Sequence, residues 1–247
     1  MATANDTTNP LISVVLPCFN EVDNLEPLIA ELQNALSIVG APYEVIYIDD
    51  CSTDGTTEKL RQLVKLHPFL RHVLHKRNMG ESAGTLTGIE AARGSLIVTM
   101  DADLQNDPAD IPKMLKLMRR RRADAVCGVR GTRNDSLGKR LSSRAANAIR
   151  GWLLDDGIHD AGCTFRILRK SALRQLVAFK ATHRFLPTMM KWHGYKVIEM
   201  TINHRPRTRG VSKYGFGNRF WVGILDILGM AWYRRRLISP DRVAGES

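Results

Sequence analysis

"SLIVTMDADLQNDP", residues 95–108, runs from apolar and β-branched residues into Asp101, Asp103, Gln105 and Asp107 before Pro108. The apolar run reads as a buried strand, since a strand covered on both faces carries no polar alternation. Two aspartates one residue apart at its exposed end repel each other, so something positive is expected to complete them. Such a pair can ligate a hard divalent cation, and Mg2+ commonly takes one or two carboxylates while substrate phosphate oxygens and waters fill its shell. Gln105 can add a neutral carbonyl oxygen. The expected ligand is a metal ion with a diphosphate.

Outward from this stretch the first half of the chain alternates two patterns. "LISVVLP" (11–17), "YEVIYIDD" (43–50), "LRHVLH" (70–75) and "SLIVTMDAD" (95–103) are short strand-like runs. "DNLEPLIAELQNALSIV", "TTEKLRQLVKL" and "SAGTLTGIEAARG" lie between them with apolar residues at helical spacing. "PADIPKMLKLMRRRR" and "ADAVCGVR" extend the alternation to residue 130. This order predicts an α/β fold with a parallel sheet. Ligands of such sheets bind beyond the carboxyl ends of the strands. Four polar clusters fall there: "PCFNE" (17–21), "DDCSTDGT" (49–56), "KRNMGESAG" (76–84) and "DADLQ" (101–105). Neither GxGxxG nor GxxxxGK[ST] follows a strand, which argues against a dehydrogenase or a P-loop ATPase.

The 247 residues, 44% of them hydrophobic, suffice for a sizeable core. Cys18, Cys51, Cys127 and Cys163 lie far apart, without the spacing of a zinc cluster or a disulfide framework. With a polar start, "MATANDTTNP", and no apolar leader, they suggest a protein of the reducing cytosol. Net charge is +11, unevenly divided: residues 1–110 hold 7 Lys and Arg against 16 Asp and Glu, and residues 111–247 hold 29 against 9. So basic a half suits nucleic acid, anionic lipid or a phosphorylated substrate, or is simply a solvated surface. No basic-aromatic module or recognition-helix pattern appears, which speaks against nucleic acid.

"SVVLPCFNE", "VIYIDDCSTDGT", "NMGESAGTLTGIEAARG" and "DADLQNDP", in this order, resemble a family 2 glycosyltransferase with the Rossmann-like GT-A fold, a mostly parallel sheet flanked by helices. "DADLQ" with the later motifs is similar to dolichyl-phosphate mannose synthases and bacterial polyprenyl-phosphate glycosyltransferases, over about residues 11–236. The resemblance implies a nucleotide pocket lined by Pro17, Phe19, Asn20, Glu21 and Ala102, with Asp49 near the base or ribose. It implies Mg2+ or Mn2+ on the donor diphosphate, held by Asp101, Asp103 and Gln105. Asp50 either joins the nucleotide or orders the following turn with Ser52 and Asp54. Arg130, Arg144 and the Arg209/Ser212/Lys213 segment are implied to bind acceptor or donor phosphate, with Asp101, Asp103, Arg130, Arg209 and Lys213 carrying the catalysis. The implied reaction is inverting transfer of a sugar from a GDP- or UDP-sugar to a polyprenyl or dolichyl phosphate. The alternatives are a GT-A transferase acting on a polysaccharide or other envelope glycan, and a non-catalytic nucleotide-sugar-binding protein.

The basic half supplies the residues for an anionic acceptor. "CGVRGTRNDSLGKRLSSRAANAIR" (127–150) groups Arg130, Arg133, Arg140 and Arg144, and guanidinium forks match phosphate oxygens. "DAGCTFRILRK" (160–170) adds Arg166, and "INHRPRTRGVSKYGFGNR" (202–219) is long enough to fold over the site. Other residues read as structural: Arg119 to Arg122 as a solvated helix end, Arg140 and Arg150 as surface, His72 and His75 as packing or surface histidines. His159 and His183 lack metal-ligand spacing.

"FWVGILDILGMAWYRRR" (220–236) is apolar for about fourteen residues, too short to span a bilayer, which takes about twenty. Its Trp, Tyr and closing arginines suit a membrane interface; a packed helix or a contact in a homo-oligomer is the other reading. The expected organisation is a flexible start (1–10), a transferase domain (11–215), an amphipathic membrane-interface or partner helix (216–236) and a flexible tail (237–247). It amounts to a peripheral enzyme on the cytoplasmic face of a membrane.

Overall fold

The computed structural model describes residues 11–131, 150–151, 153–174, 176–206 and 219–238. The strands are β1 (Ile12–Cys18), β2 (Tyr43–Asp49), β3 (Leu70–Leu74), β4 (Leu96–Thr99), β5 (Ala125–Arg130), β6 (Arg166–Arg169) and β7 (Val197–Ile202). The longer helices are α1 (Leu25–Val39), α2 (Thr56–Leu66), α3 (Glu81–Ala91), α4 (Ile111–Arg121), α5 (Thr182–Trp192) and α6 (Arg219–Arg236). One sheet orders the strands β3-β2-β1-β4-β6-β5-β7. β1 pairs in parallel with β2 and β4, β2 with β3, and β5 with β7, whereas β6 runs antiparallel between β4 and β5. The alternation in the first half therefore holds through β4, and the reversal at β6 is what it did not reveal.

Successive residues of the central strands face opposite layers. Val14, Leu16, Val45 and Tyr47 pack with Leu28, Leu32, Leu36, Met114 and Met118 of α1 and α4. Val15, Ile46, Ile48 and Ile97 face the other way, toward Leu186, Met189, Met190 and Met230 of α5 and α6. All seven residues of β2 are buried, Glu44 among them. Its carboxylate accepts from Ser13 Oγ at 2.6 Å, Arg71 at 2.5 Å and the Arg93 N–H at 2.7 Å, tying β1, β2, β3 and the approach to β4 together.

α3 lies unusually close to β1. A Cβ on Gly88 would stand 2.1 Å from Val15 Cγ1, and one on Gly84 3.0 Å from Pro17 Cβ. The two glycines thus let the helix settle on the strand, which sets its first turn, Glu81 and Ser82, at the same rim as the end of β4. Arg119 to Arg122 are exposed at the end of α4, as expected of a solvated terminus, and Arg122 closes it in the left-handed conformation.

Candidate active site

Because β1 to β4 are parallel, their carboxyl ends share one rim. The loops there contain non-glycine residues in the left-handed region: Asn20 (φ 56), Cys51 (φ 66) and Leu104 (φ 62). Such backbone is held only where its surroundings over-determine it, and here they do. Asn20 N–H donates to Ser52 Oγ (2.8 Å), Thr53 N–H to Asn20 Oδ1 (2.7 Å), Glu21 N–H to Thr56 Oγ1 (2.9 Å) and Val22 N–H to Asp54 Oδ2 (3.2 Å). The β1 and β2 loops are one latched unit. Pro17 lies at the end of β1 beside Asp101, and Phe19 is half-buried.

The two aspartates after β2 have separate duties. Asp49 is fully buried and accepts from Ser52 N–H at 3.0 Å and from the Thr57 hydroxyl. Asp50 accepts from Met79 N–H, Gly80 N–H and His75 Nδ1, each at 2.7 Å. It orders the loop after β3; Ser52 and Asp54 order the turn that follows β2. His75 also meets Thr87 Oγ1 at 3.0 Å, so it clamps this loop to α3.

β4 ends at Thr99, leaving Asp101 and Asp103 in the loop beyond it. Asp103 is buried and accepts Gln105 N–H at 3.1 Å; Ala102 beneath it is buried as well. Gln105 Nε2 donates to the Arg205 carbonyl at 3.3 Å. The Asp101 carboxyl is pushed up to about 7 by burial and then by the charges of Glu81 and Asp103, against the pull of Thr164 and Arg130. Among the described residues the acidic neighbours of Asp101 outweigh Arg130, a condition a divalent cation would relieve. Among the described residues no group of three or more His, Cys, Asp or Glu is arranged to hold a metal, so the chain would supply Asp101, Asp103 and the Gln105 oxygen, and the ligand's oxygens the rest.

Arg130 ends β5 in a fork-to-fork pair with Asp160, Nε to Oδ2 at 2.8 Å and Nη2 to Oδ1 at 2.7 Å. Asp160 is held in turn by β7, since Glu199 Oε1 accepts the His159 N–H at 2.9 Å and the Asp160 N–H at 3.4 Å. Arg166 is 1% exposed and spends its fork on the carbonyls of His183 and Ala161. It braces the start of α5 against the 160s loop instead of standing open to an anion. Arg150, expected at the surface, is buried; it pairs with Asp156 at 2.5 Å and donates to Thr188 Oγ1 at 2.7 Å. Arg205 pairs with Glu31 and Asp107, both at 2.9 Å, and its N–H donates to the Gln105 carbonyl at 2.7 Å, fastening the chain before residue 207 to the aspartate loop. Arg144, Arg209, Ser212 and Lys213 lie outside the described residues.

Residues 13–177 match the sequence profile described as "Glycosyl transferase family 2". The chain belongs to that family. This glycosyltransferase is 37% identical over 246 residues, 98% of its length and 72% of the relative's, to the dodecaprenyl-phosphate galacturonate synthase of Rhizobium johnstonii. It is 34% identical over 214 residues, 85% of its length and 65% of the relative's, to the undecaprenyl-phosphate 4-deoxy-4-formamido-L-arabinose transferase of Aeromonas hydrophila. It therefore spans about two thirds of these curated relatives. A mannosyltransferase from Pyrobaculum calidifontis, solved with GDP-Man and Mn2+, superposes with a TM-score of 0.65 at 21% identity over 97% of this chain and 68% of that one. Glucosyl-3-phosphoglycerate synthase from Mycobacterium tuberculosis, solved with Mg2+ and uridine diphosphate, gives 0.67 at 16% identity over 95% and 82%. Both likenesses show the GT-A glycosyltransferase fold.

Glu81, Asp160 and Thr164, which the sequence reading did not single out, also face this site, as does His183, which that reading weighed only as a metal ligand and set aside. Glu81 and Asp160 lie inside the quoted motifs "NMGESAG" and "DAGCTFR"; His183 carries no local signal, since only the packing of α5 on α3 brings it there.

Proposed function

We propose that the chain transfers a sugar, with inversion, from a nucleotide sugar to a polyprenyl phosphate. The observation that carries this is the placement of Asp101 and Asp103 in the loop after β4, at the rim where the β1 and β2 loops are latched, with burial and the charges of Glu81 and Asp103 raising the Asp101 carboxyl. The names of the relatives supply the acceptor class: both act on a polyprenyl phosphate.

In this reading Asp101, Asp103 and Gln105 hold a divalent cation, and Pro17, Phe19, Asn20, Glu21 and Ala102 border the nucleotide. The solved neighbours that hold Mn2+ or Mg2+ support the use of such an ion. When bound, the ion neutralises charge on the departing diphosphate. Arg130, fixed by Asp160, presents a guanidinium toward the acceptor phosphate, joined by Arg144, Arg209, Ser212 and Lys213. An oxygen of the lipid phosphate attacks the anomeric carbon, its bond to the diphosphate breaks, and the nucleoside diphosphate leaves. A phosphomonoester has a second pKa of about 6, so the attacking oxygen is already ionised at neutral pH and needs no general base. Positioning and electrostatics then carry the rate.

Residues 11–215 form the transferase body in this proposal, and α6 is the membrane contact on the cytoplasmic face. No helix among the described residues is long and apolar enough to cross a membrane. Val222, Leu225, Leu228 and Trp232 nevertheless leave an exposed apolar stripe that runs into Arg234, Arg235 and Arg236, the composition of an interfacial helix. The test is incubation with GDP- and UDP-sugars, Mn2+ and a short polyprenyl phosphate, followed by mass analysis. A lipid monophosphate sugar is expected; transfer only to a glycan acceptor, or no transfer from any donor, would overturn the proposal.

A further inference from the structure

Arg130 reaches the site from the end of β5, and its direction is set from the edge of the sheet. β7 is the outermost strand there, paired in parallel with β5 so that Glu199 stands opposite Cys127 and Ile202 opposite Arg130. Side chains alternate along a strand, so Glu199 and Arg130 start on opposite faces. Any hold of one on the other must pass through chain that rounds the strand ends.

That chain is the turn at 158–162. The Glu199 carboxylate is largely withdrawn from solvent, 15% exposed. Its Oε1 accepts the His159 N–H at 2.9 Å and the Asp160 N–H at a longer 3.4 Å, and its Oε2 meets His159 Nδ1 at 2.6 Å. The imidazole is 81% exposed, and a pair so open to water contributes little. The two backbone bonds therefore do most of the holding.

Asp160 passes that hold on to Arg130. Its Oδ2 accepts the Arg130 N–H at 3.2 Å and Nε at 2.8 Å, and its Oδ1 accepts Nη2 at 2.7 Å. One carboxylate thus grips both the backbone and the guanidinium of a single residue. Gly162 makes the room, since a Cβ there would stand 3.0 Å from Arg130 Nη2. A guanidinium offers its N–H donors in one rigid plane. Asp160 takes Nε and Nη2, and the position of its loop fixes the plane in which the remaining N–H groups are offered. The Arg130 charge acts on Asp101, so that plane is presented beside the aspartate loop.

We propose that Glu199 is a positioning residue: by holding the His159–Asp160 turn it sets the angle at which Arg130 meets a prenyl phosphate, and so the affinity for that acceptor. The inference rests on the reading of Arg130 as a ligand of the acceptor phosphate. A fork aligned with phosphate oxygens makes parallel bonds that a tilted one loses, so the effect falls on the phosphate head and spares the nucleotide.

Calorimetry with farnesyl phosphate, and separately with UDP and GDP in Mn2+, tests it. Arg130→Ala should weaken farnesyl phosphate about tenfold or more. Glu199→Ala should weaken it about tenfold while each nucleotide stays within about twofold. Glu199→Gln, whose amide oxygen can still accept both N–H groups, should stay within about threefold of the wild type. In an Arg130→Ala background Glu199→Ala should add less than about twofold, because a residue that acts through another has nothing left to act on. Thermal melts establish folding, and Glu199→Asp, which keeps the charge but shortens the reach, keeps the test open should Glu199→Ala unfold; a severalfold loss is expected of it. Unchanged farnesyl phosphate affinity in the folded Glu199 variant, equal losses with and without Arg130, or equal losses for nucleotide and farnesyl phosphate would overturn the inference and leave the reading of Arg130 standing. Unchanged affinity in Arg130→Ala, or no binding of farnesyl phosphate by the wild type, would overturn both.

Discussion

Replacing Asp50 by asparagine separates two duties that a carboxylate after β2 could have. In the fold, Oδ1 accepts from Met79 N–H and His75, and Oδ2 accepts from Gly80 N–H, all at 2.7 Å and with the residue 5% exposed. Asparagine keeps one acceptor oxygen and turns the other into a donor. Whichever way the amide faces, at least one backbone N–H loses its acceptor and confronts another N–H. Losing a charge-assisted bond costs about 1.5–3 kcal/mol, and a buried unsatisfied donor about 1–3 kcal/mol; the two overlap, so the net loss is about 2–4 kcal/mol. For a chain of this size a melting temperature drops about 2–4 °C per kcal/mol, so circular dichroism should show a fall of about 4–16 °C. Nucleotide affinity should change only as far as the loop before α3 relaxes. Should Asp50→Asn melt like the wild type while calorimetry shows a tenfold loss of nucleotide affinity, the residue is a nucleotide ligand and the loop-clamp reasoning is wrong.

Asp103→Ala is expected to reduce turnover at least a hundredfold with the melting curve little changed; retained activity would remove the aspartate loop from the chemistry. Since the Asp101 carboxyl is pushed up to about 7 and must ionise to hold a cation, affinity for Mn2+ with a nucleoside diphosphate should fall about tenfold per unit below pH 7 and level off above it; a flat calorimetric profile would contradict this. Burial pushes the Glu44 carboxyl up, but Ser13, the Arg93 N–H and Arg71 outweigh it and hold it below the ordinary value. Its stabilising contribution is therefore present above the unfolded carboxyl range and lost as pH falls through the lower folded value. Glu44→Gln should cost about 1–3 kcal/mol at pH 7, a gap that urea titrations should see close below about pH 4. Leu225→Asp, at a position 66% exposed, should leave the melt unchanged and lower co-sedimentation with anionic vesicles about tenfold; unchanged sedimentation would separate α6 from the membrane.

Much of the fold was readable because its causes are local. β1, β2 and β4 announce themselves by short buried runs ending in turn residues, and α1, α2 and α4 by apolar spacing, whereas α3 buries Gly84, Thr85 and Gly88 and was placed by the alternation around it. β6 could not be placed this way: "RILR" is four residues long, and its antiparallel seat between β4 and β5 is fixed by pairing partners distant in the chain. Arg166 and Arg150 looked alike among many arginines, and only the packing shows that both are buried with their Nη atoms bonded to carbonyls and to Asp156.

The sequence by itself determined the α/β class, the family and the acidic loop after β4, since each is written in contiguous residues whose chemistry needs no partner from elsewhere. Tertiary structure alone decided that Asp50 serves the β3 loop, that Asp160 and Glu199 steady Arg130, and that Glu81 meets His183 across 102 positions of chain. Those facts depend on close approach of separate elements, through the glycine face of α3 on β1 and the seating of α5, and distance in space is not encoded at any one position.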